Sequence, residues 1–241
     1  GKTTTTCWGC NGVPEGIELS PEQAPIIKAM QAEPYQSARF TAFSKAIATE
    51  LKSRLPSSVD ACTNHSLGLT TIRNHLGKRP TVDANKTWKL CEELFGKVSE
   101  SKQKRETITE YQALKSIVAI SKATLSCDLP SSQETQEWVG TPAKIEETCG
   151  FYSVDCSAKQ AEKALTILVE STRRPQWIDF ADMVCEPAIL GMQPEVVDFG
   201  IIDEAQDLDQ QQLDVLNKLH SHGASLFFVG DARQCIYQWR G

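Results

Sequence analysis

Two hydrophobic periods alternate along this chain, and the places where they change outline its architecture. Residues 39–42 and 59–62 are short apolar-rich runs that predict strands. Each is followed by a pattern of 3.6-residue period, over Lys45–Leu55 and Leu67–Leu76, that predicts a helix. Ahead of them, Pro21–Met30 has Pro-Glu-Gln at its start and Ile26, Ile27 and Met30 on one face, which reads as a connecting helix. From Trp177 onward the strand–helix alternation returns. Val196–Ile202 and Ser225–Val229 are apolar runs of the kind that buried parallel strands show. Between them Gln210–Leu219 reads as a helix, with Asp209 as its cap and Ser221-His222-Gly223 as its stop. Strands alternating with helices imply right-handed crossovers and a parallel sheet with helices on both faces, an α/β class.

The stretch from about Pro80 to Arg174 differs. Only the helical period recurs there, in Trp88, Leu90, Cys91, Leu94 and Phe95, then Tyr111, Leu114, Ile117, Val118 and Ile120, then Ala164, Leu165, Ile167 and Leu168. No strand run interrupts it. The expected organisation is an α/β part over 1–79, an all-helical insertion over 80–175 and a second α/β part over 176–241.

Candidate chemistry gathers at the ends of the two late strands. The first runs into Asp203-Glu204-Ala205-Gln206-Asp207, the second into Gly230-Asp231-Ala232-Arg233-Gln234. In open α/β sheets ligands bind beyond the carboxyl ends of the strands, so both motifs are expected to face one crevice. The sequence opens on Gly1-Lys2-Thr3-Thr4, which reads as the tail of a phosphate loop. In such a loop Lys2 reaches the β- and γ-phosphates and Thr3 ligates Mg²⁺, with Gly1 and Thr4 completing the phosphate-binding set. Asp203 is placed to hold Mg²⁺ through water, since that ion keeps much of its hydration shell. Glu204 is the candidate that orients or deprotonates an attacking water, and Gln234 offers a neutral amide to a γ-phosphate. Each motif alone is weak; together, in this order, they point to a nucleoside triphosphatase.

These residues carry a family resemblance. Asp203-Glu204-Ala205-Gln206-Asp207, followed by Gly230-Asp231-x-x-Gln234-x-Ile236-Tyr237-x-Trp239-Arg240-Gly241, resembles motifs II and III of the UvrD/Rep-like superfamily 1 DNA helicases, and Gly1-Lys2-Thr3 resembles the end of their motif I. Thr41-Ala42-Phe43-Ser44-Lys45 is similar to motif Ia, Thr63-Asn64-His65-Ser66-Leu67-Gly68 to motif Ib, and Trp177-Ile178-Asp179-Phe180-Ala181-Asp182-Met183 to the segment that precedes motif II. Ala42 and Ser44 depart from the family's aromatic and Asn in motif Ia. The resemblance implies a P-loop NTPase of RecA-like fold, with the helical insertion equivalent to the 1B subdomain. It implies ATP and Mg²⁺ as cofactors and single-stranded DNA, or a single/double-strand junction, as partner. A second RecA-like domain, not present in these residues, is expected in the intact protein.

By the same resemblance Thr41, Lys45, His65, Tyr237, Trp239 and Arg240 line a single-strand groove, with Tyr237 and Trp239 as stacking faces. Read as residues alone, Tyr237 and Trp239 also fit core aromatics, and His65 fits a polar core position as readily as a groove. The implied function is an ATP-dependent single-strand DNA translocase or helicase, of which this chain carries the first motor domain and by itself is expected to be inactive. The alternative is a silent, truncated relic that acts only as a weak nucleic-acid or partner-binding module. A nucleotidase without nucleic acid leaves the Tyr237-x-Trp239-Arg240 tail without a purpose.

Composition narrows the setting. The formal charge of the 241 residues is −6, so strand binding has to use a local groove rather than a global basic field. Ser99–Arg105 is a local basic run, read as a solvated face with duplex DNA as the alternative. No apolar run approaches the roughly 20 residues of a membrane span, and no membrane partner is expected. Nine scattered cysteines suggest reduced thiols and a cytoplasmic location, or nuclear in a eukaryote. Cys7-Trp8-Gly9-Cys10 has metal-ligand spacing, but Cys149 and Cys156 are too far apart to supply the second half of a zinc site, so the pair reads as small apolar residues of a helix.

Overall fold

A computed structural model describes residues 37–42, 44–55, 59–124, 138, 140–208, 210–221 and 223–230. The expected helix at Pro21–Met30, the Cys7–Cys10 pair, Phe43 and the capping Asp209 lie outside the described residues.

The described residues form two compact units. The first contains a four-stranded parallel sheet in the order β2-β1-β5-β6, made of β1 (Ala38–Ala42), β2 (Val59–Thr63), β5 (Phe199–Asp203) and β6 (Ser225–Val229). All five positions of β1 and all five of β5 are buried, as central parallel strands require. Phe40, Leu51, Ala61, Phe199 and Ile201 make the core of this unit, and the Phe199 and Phe227 rings meet at 4.6 Å between centroids. Helix α1 (Lys45–Arg54) follows β1 and places Leu51 in that core. Ser44 starts it, its hydroxyl accepting from the Ile47 amide at 3.3 Å. A charged residue also sits within β1: Arg39 is buried, but its guanidinium donates to Glu195 Oε2 and to the Glu195 carbonyl, both at 3.2 Å.

The second unit is mainly helical. It takes in most of α2 (Asn64–Leu76), then α3 (Lys86–Phe95), α4 (Lys104–Thr124), α5 (Pro142–Phe151), α6 (Ala158–Thr172) and α7 (Asp182–Ile189). The periodic positions read from the sequence meet in one core: Leu90, Cys91, Tyr111, Leu114, Ile117, Val118, Ala164, Ile167 and Leu168 are buried together with Ile145 and Cys149. Helix starts follow local chemistry. Thr141 precedes Pro142 and accepts from the Lys144 amide, and Ser157 with Gln160 forms a reciprocal capping box. Two short strands, β3 (Thr81–Val82) and β4 (Trp177–Ile178), pair in parallel, so helices α3 to α6 are bracketed by a ribbon that the helical pattern did not predict. A two-residue strand has no period to read. Helix α7 is buried at every position, and Gly68 of α2 lies so near it that a Cβ there would fall 1.7 Å from the Met183 carbonyl oxygen.

A polar network lies inside this helical unit. Lys86 is fully buried, and its Nζ donates to Asp182 Oδ2 at 2.7 Å, to Glu186 Oε1 at 3.2 Å and to the Ser171 carbonyl at 3.1 Å. Lys122 reaches Asp182 Oδ1 at 2.6 Å and Asp179 Oδ2 at 2.9 Å. Asp179 and Asp182 each accept from the other's amide, both at 2.9 Å. Burial pushes the Asp182 carboxyl upward, but Lys122 and Lys86 outweigh it and hold the group below its ordinary value. Burial, reinforced by the Asp182 charge, raises Glu186 well above the carboxylate range. Among the described residues no helix is long and apolar enough to cross a membrane.

Candidate functional site

The parallel registers bring four strand ends to one edge of the sheet. Ala42 pairs with Thr63, Thr41 with Ile202, and Asp203 with Val229. The chain leaves β1 for β2 on one side, while β5 occupies the other side. The order therefore switches direction between β1 and β5, the position where open α/β sheets leave a crevice for ligands.

Asp203 is the last residue of β5 and is buried at that edge. The backbone then turns sharply. Glu204 adopts the left-handed conformation at φ 52° and ψ 45°, and a single 3₁₀ turn over Ala205–Asp207 follows. A non-glycine residue in this region costs of order 1–3 kcal/mol, and such strain collects at functional sites. The turn is closed by the Asp207 amide donating to the Glu204 carbonyl at 2.9 Å. Gln206 Nε2 donates to Glu204 Oε2 at 2.6 Å, so the carboxylate has a fixed neighbour that leaves its charge intact.

The end of β6 presses on the same turn. A Cβ at Gly230 would stand 2.6 Å from Gln206 Oε1, 3.2 Å from the Gln206 amide nitrogen and 3.3 Å from that of Ala205. A side chain at Gly230 would have to displace the amide end of Gln206 and press on the backbone of the turn. The sequence marked both Gln206 and Gly230 as motif residues but assigned neither a role. The spacing of Gly after an apolar strand was the readable signal for Gly230; nothing local announced the Gln206–Glu204 bond.

The other expected residues fall as follows. Thr41 is buried, its hydroxyl donating to the Ile201 carbonyl at 3.4 Å, so it braces β1 against β5 rather than pointing outward. Lys45 is exposed in the first turn of α1. His65 is exposed in the first turn of α2, just after Thr63, whose hydroxyl accepts from the Ser66 amide at 3.2 Å. Gly1, Lys2, Thr3, Thr4, Gln234, Tyr237, Trp239 and Arg240 lie outside the described residues. Among the described residues no group of three or more His, Cys, Asp or Glu side chains could hold a metal by itself. Among the described residues Asp203 would be joined at an ion by no such cluster, so further ligands would come from water, from phosphate and from residues outside the described ones such as Thr3. Mg²⁺ binds in this manner, through one or two carboxylates and substrate phosphates, so hard-oxygen donors at this strand end fit it.

Comparison with known proteins agrees with this geometry. The chain is 23% identical over 214 residues, 83% of its length, to a protein described as a probable DNA helicase II homolog from Mycoplasma pneumoniae, and covers 29% of that protein. It is 32% identical over 77 residues to the ATP-dependent DNA helicase PcrA of Leuconostoc citreum, and 29% identical over 77 residues to the ATP-dependent DNA helicase Rep of Buchnera aphidicola subsp. Schizaphis graminum. Each of these two matches involves 29% of this chain, with 10% of PcrA and 12% of Rep covered. The chain thus spans less than a third of the length of these relatives. The sequence pattern of the UvrD/REP helicase N-terminal domain matches residues 22–241, and that domain has the RecA-like P-loop fold to which the parallel sheet corresponds. The chain belongs to the UvrD/REP helicase N-terminal domain family.

Proposed function

We propose that this chain is the first motor domain of an ATP-dependent single-strand DNA translocase or helicase. The observation that carries the proposal is the meeting of four parallel strand ends at one edge, with the buried Asp203 and the strained Glu204 at its centre. In this reading residues 80–175 are an insertion within the RecA-like domain, and a second RecA-like domain completes the ATP site in the intact protein. Asp203 would hold Mg²⁺ through water, and the ion would neutralise charge on the phosphates. Lys2, Thr3 and their neighbours Gly1 and Thr4 bind the phosphates. Glu204 accepts the proton of the attacking water, positioned by its bond from Gln206, while Gln234 senses the γ-phosphate. Lys45 and His65, exposed beyond the ends of β1 and β2, contact the strand together with Tyr237, Trp239 and Arg240.

The test is ATP turnover in a polypeptide that carries both RecA-like domains, measured with and without oligo(dT). Turnover should rise on adding the strand, and Lys45→Gln should weaken strand affinity without changing turnover in its absence. Turnover indifferent to saturating oligo(dT) would reject the motor reading and leave a plain nucleotidase.

Gly230→Ala supplies a finer check in the same polypeptide. The added methyl must displace the Gln206 side chain, which then loses its hold on Glu204. A small misplacement of a reacting group is costly, and turnover should fall roughly tenfold with ATP affinity retained. Unchanged turnover in phosphate-release measurements would mean that the Gln206–Glu204 bond has no part in the reaction.

A further inference from the structure

We infer that Cys149 and Cys156 of the helical unit are a redox-active dithiol, a site that a low-molecular-weight disulfide such as oxidised glutathione converts into an intramolecular disulfide. Neither the nucleotide nor the strand reading above bears on this pair.

The two cysteines are too far apart in sequence for a metal knuckle, but the backbone between them doubles back. Helix α5 ends with the Val154 amide donating to the Cys149 carbonyl at 2.8 Å and the Ser153 amide to the Gly150 carbonyl at 3.3 Å. This pair of bonds is how a helix stops on a left-handed residue, and Ser153 supplies that residue at φ 56°. Directly after Cys156, Ser157 and Gln160 cap each other and fix the first turn of α6. Cys156 is therefore held between two defined turns rather than in a slack loop.

Packing brings the sulfurs together. Cys149 is fully buried in the helical core, and Val154 and Cys156 pack against that same cluster. Cys149 Sγ donates a side-chain hydrogen bond to Cys156 Sγ. Cys156 Sγ in turn donates to the Ser157 carbonyl at 3.7 Å. Burial, with the Cys156 charge and the hydrogen bond adding to it, pushes the Cys149 thiol up to about 12. Burial raises Cys156 too, but there the proton offered by Cys149 works against the rise.

These surroundings divide the roles. Cys156 is half-buried and its thiolate is the one favoured by the pair, so it is the attacking sulfur; Cys149, closed off from solvent, resolves. Cys156 Sγ, as thiolate, attacks one sulfur of the small disulfide, whose S–S bond breaks and releases one thiolate. Cys149 then gives its proton to solvent, its sulfur bonds to Cys156 Sγ, and the second small thiolate leaves. Two electrons pass from the protein to the small disulfide, which departs as two thiols after taking up two protons. The raised thiols make this exchange slow, and the same burial shields the bond once it has formed.

The experiment equilibrates the 241-residue chain with mixtures of reduced and oxidised glutathione, quenches with acid, alkylates the remaining thiols and digests with trypsin. No Lys or Arg lies between Lys144 and Lys159, so residues 145–159 leave as one peptide that carries both cysteines and no other. Mass spectrometry reads the internal bond as a loss of two hydrogens and a mixed disulfide as a glutathione adduct. The effective concentration of one thiol at the other should be at least about tenfold higher in the folded chain than in urea, where only the short linker holds the pair together. Folded Cys149→Ser should keep glutathione on Cys156, and folded Cys156→Ser should leave Cys149 unmodified. If Cys149→Ser does not fold, the comparison of folded and unfolded parent together with Cys156→Ser decides the matter. An effective concentration in the folded chain equal to or below that in urea overturns the inference. So does a folded parent in which Cys156 gathers glutathione without closing the ring, or in which both thiols stay free at ratios that close the pair in urea.

Discussion

Glu204→Gln is expected to reduce ATP turnover by about 10²–10⁴-fold in a polypeptide with both RecA-like domains, while ATP affinity stays within a few-fold of the parent. The magnitude is that of removing a positioned general base. The substitution isolates the carboxylate because everything around it is kept. A glutamine occupies the same volume, tolerates the same left-handed backbone at φ 52°, and still offers an oxygen to Gln206 Nε2. What disappears is a negative group able to take a proton from water. The phosphate ligands and Asp203 are untouched, so binding has no reason to change. Single-turnover phosphate release and a fluorescent ATP titration make the comparison. Turnover within a factor of two of the parent would remove Glu204 from the reaction; loss of ATP binding with unchanged folding would assign it to the metal instead.

Much of this site was legible because it follows strands with strong local signals. The apolar run before Asp203 is a fully buried strand, as its composition predicts. The run before Gly230 is a strand as well but not a buried one, since it lies at the end of the four-stranded order with Ser225 and Phe228 exposed. Parallel order makes the two carboxyl ends coincide. Boundaries were less legible where capping rather than apolar period decides. Helix α2 begins at Asn64, ahead of the first periodic residue Leu67, because Thr63 accepts from the Ser66 amide and starts the turn among polar residues. Thr41 looked like a surface phosphate contact, since a threonine hydroxyl at a strand end can point either way; its neighbour Ile201 across the β1–β5 ladder accepts it inside. The segment Trp177–Pro194 shows why a return of α/β patterning does not mark a domain boundary. Its strand pairs with Thr81–Val82, and Cys185, Ala188 and Ile189 pack into the helical core.

The buried network of the helical unit was illegible for a different reason. Lys86 and Lys122 look like the polar faces of amphipathic helices, and the partner Asp182 is 96 residues from Lys86 in sequence. No period or spacing connects them. Lys86→Met should destabilise the chain by about 3–5 kcal/mol at neutral pH, the usual consequence of removing one member of a buried charge set. Methionine keeps the length and apolar stem, so little of the loss comes from a cavity. It comes from Asp182, left with Lys122 alone, and from the Ser171 carbonyl, left without a donor. Glu186→Gln should behave in the opposite way. Burial and the Asp182 charge raise the Glu186 pKa, so the folded state holds a proton there that the unfolded chain releases above its ordinary value of 4.5. Stability from this group is therefore complete below 4.5 and is lost as pH climbs toward the raised folded value. A glutamine carries no such proton and should be nearly neutral at pH 5 but increasingly stabilising relative to the parent toward pH 8. Urea unfolding of the three proteins at pH 5, 6.5 and 8 measures both effects. A Lys86→Met loss below 1 kcal/mol would show that Asp182 and Glu186 protonate freely without it, and a Glu186→Gln difference that does not grow with pH would show that Glu186 is ionised in the folded chain.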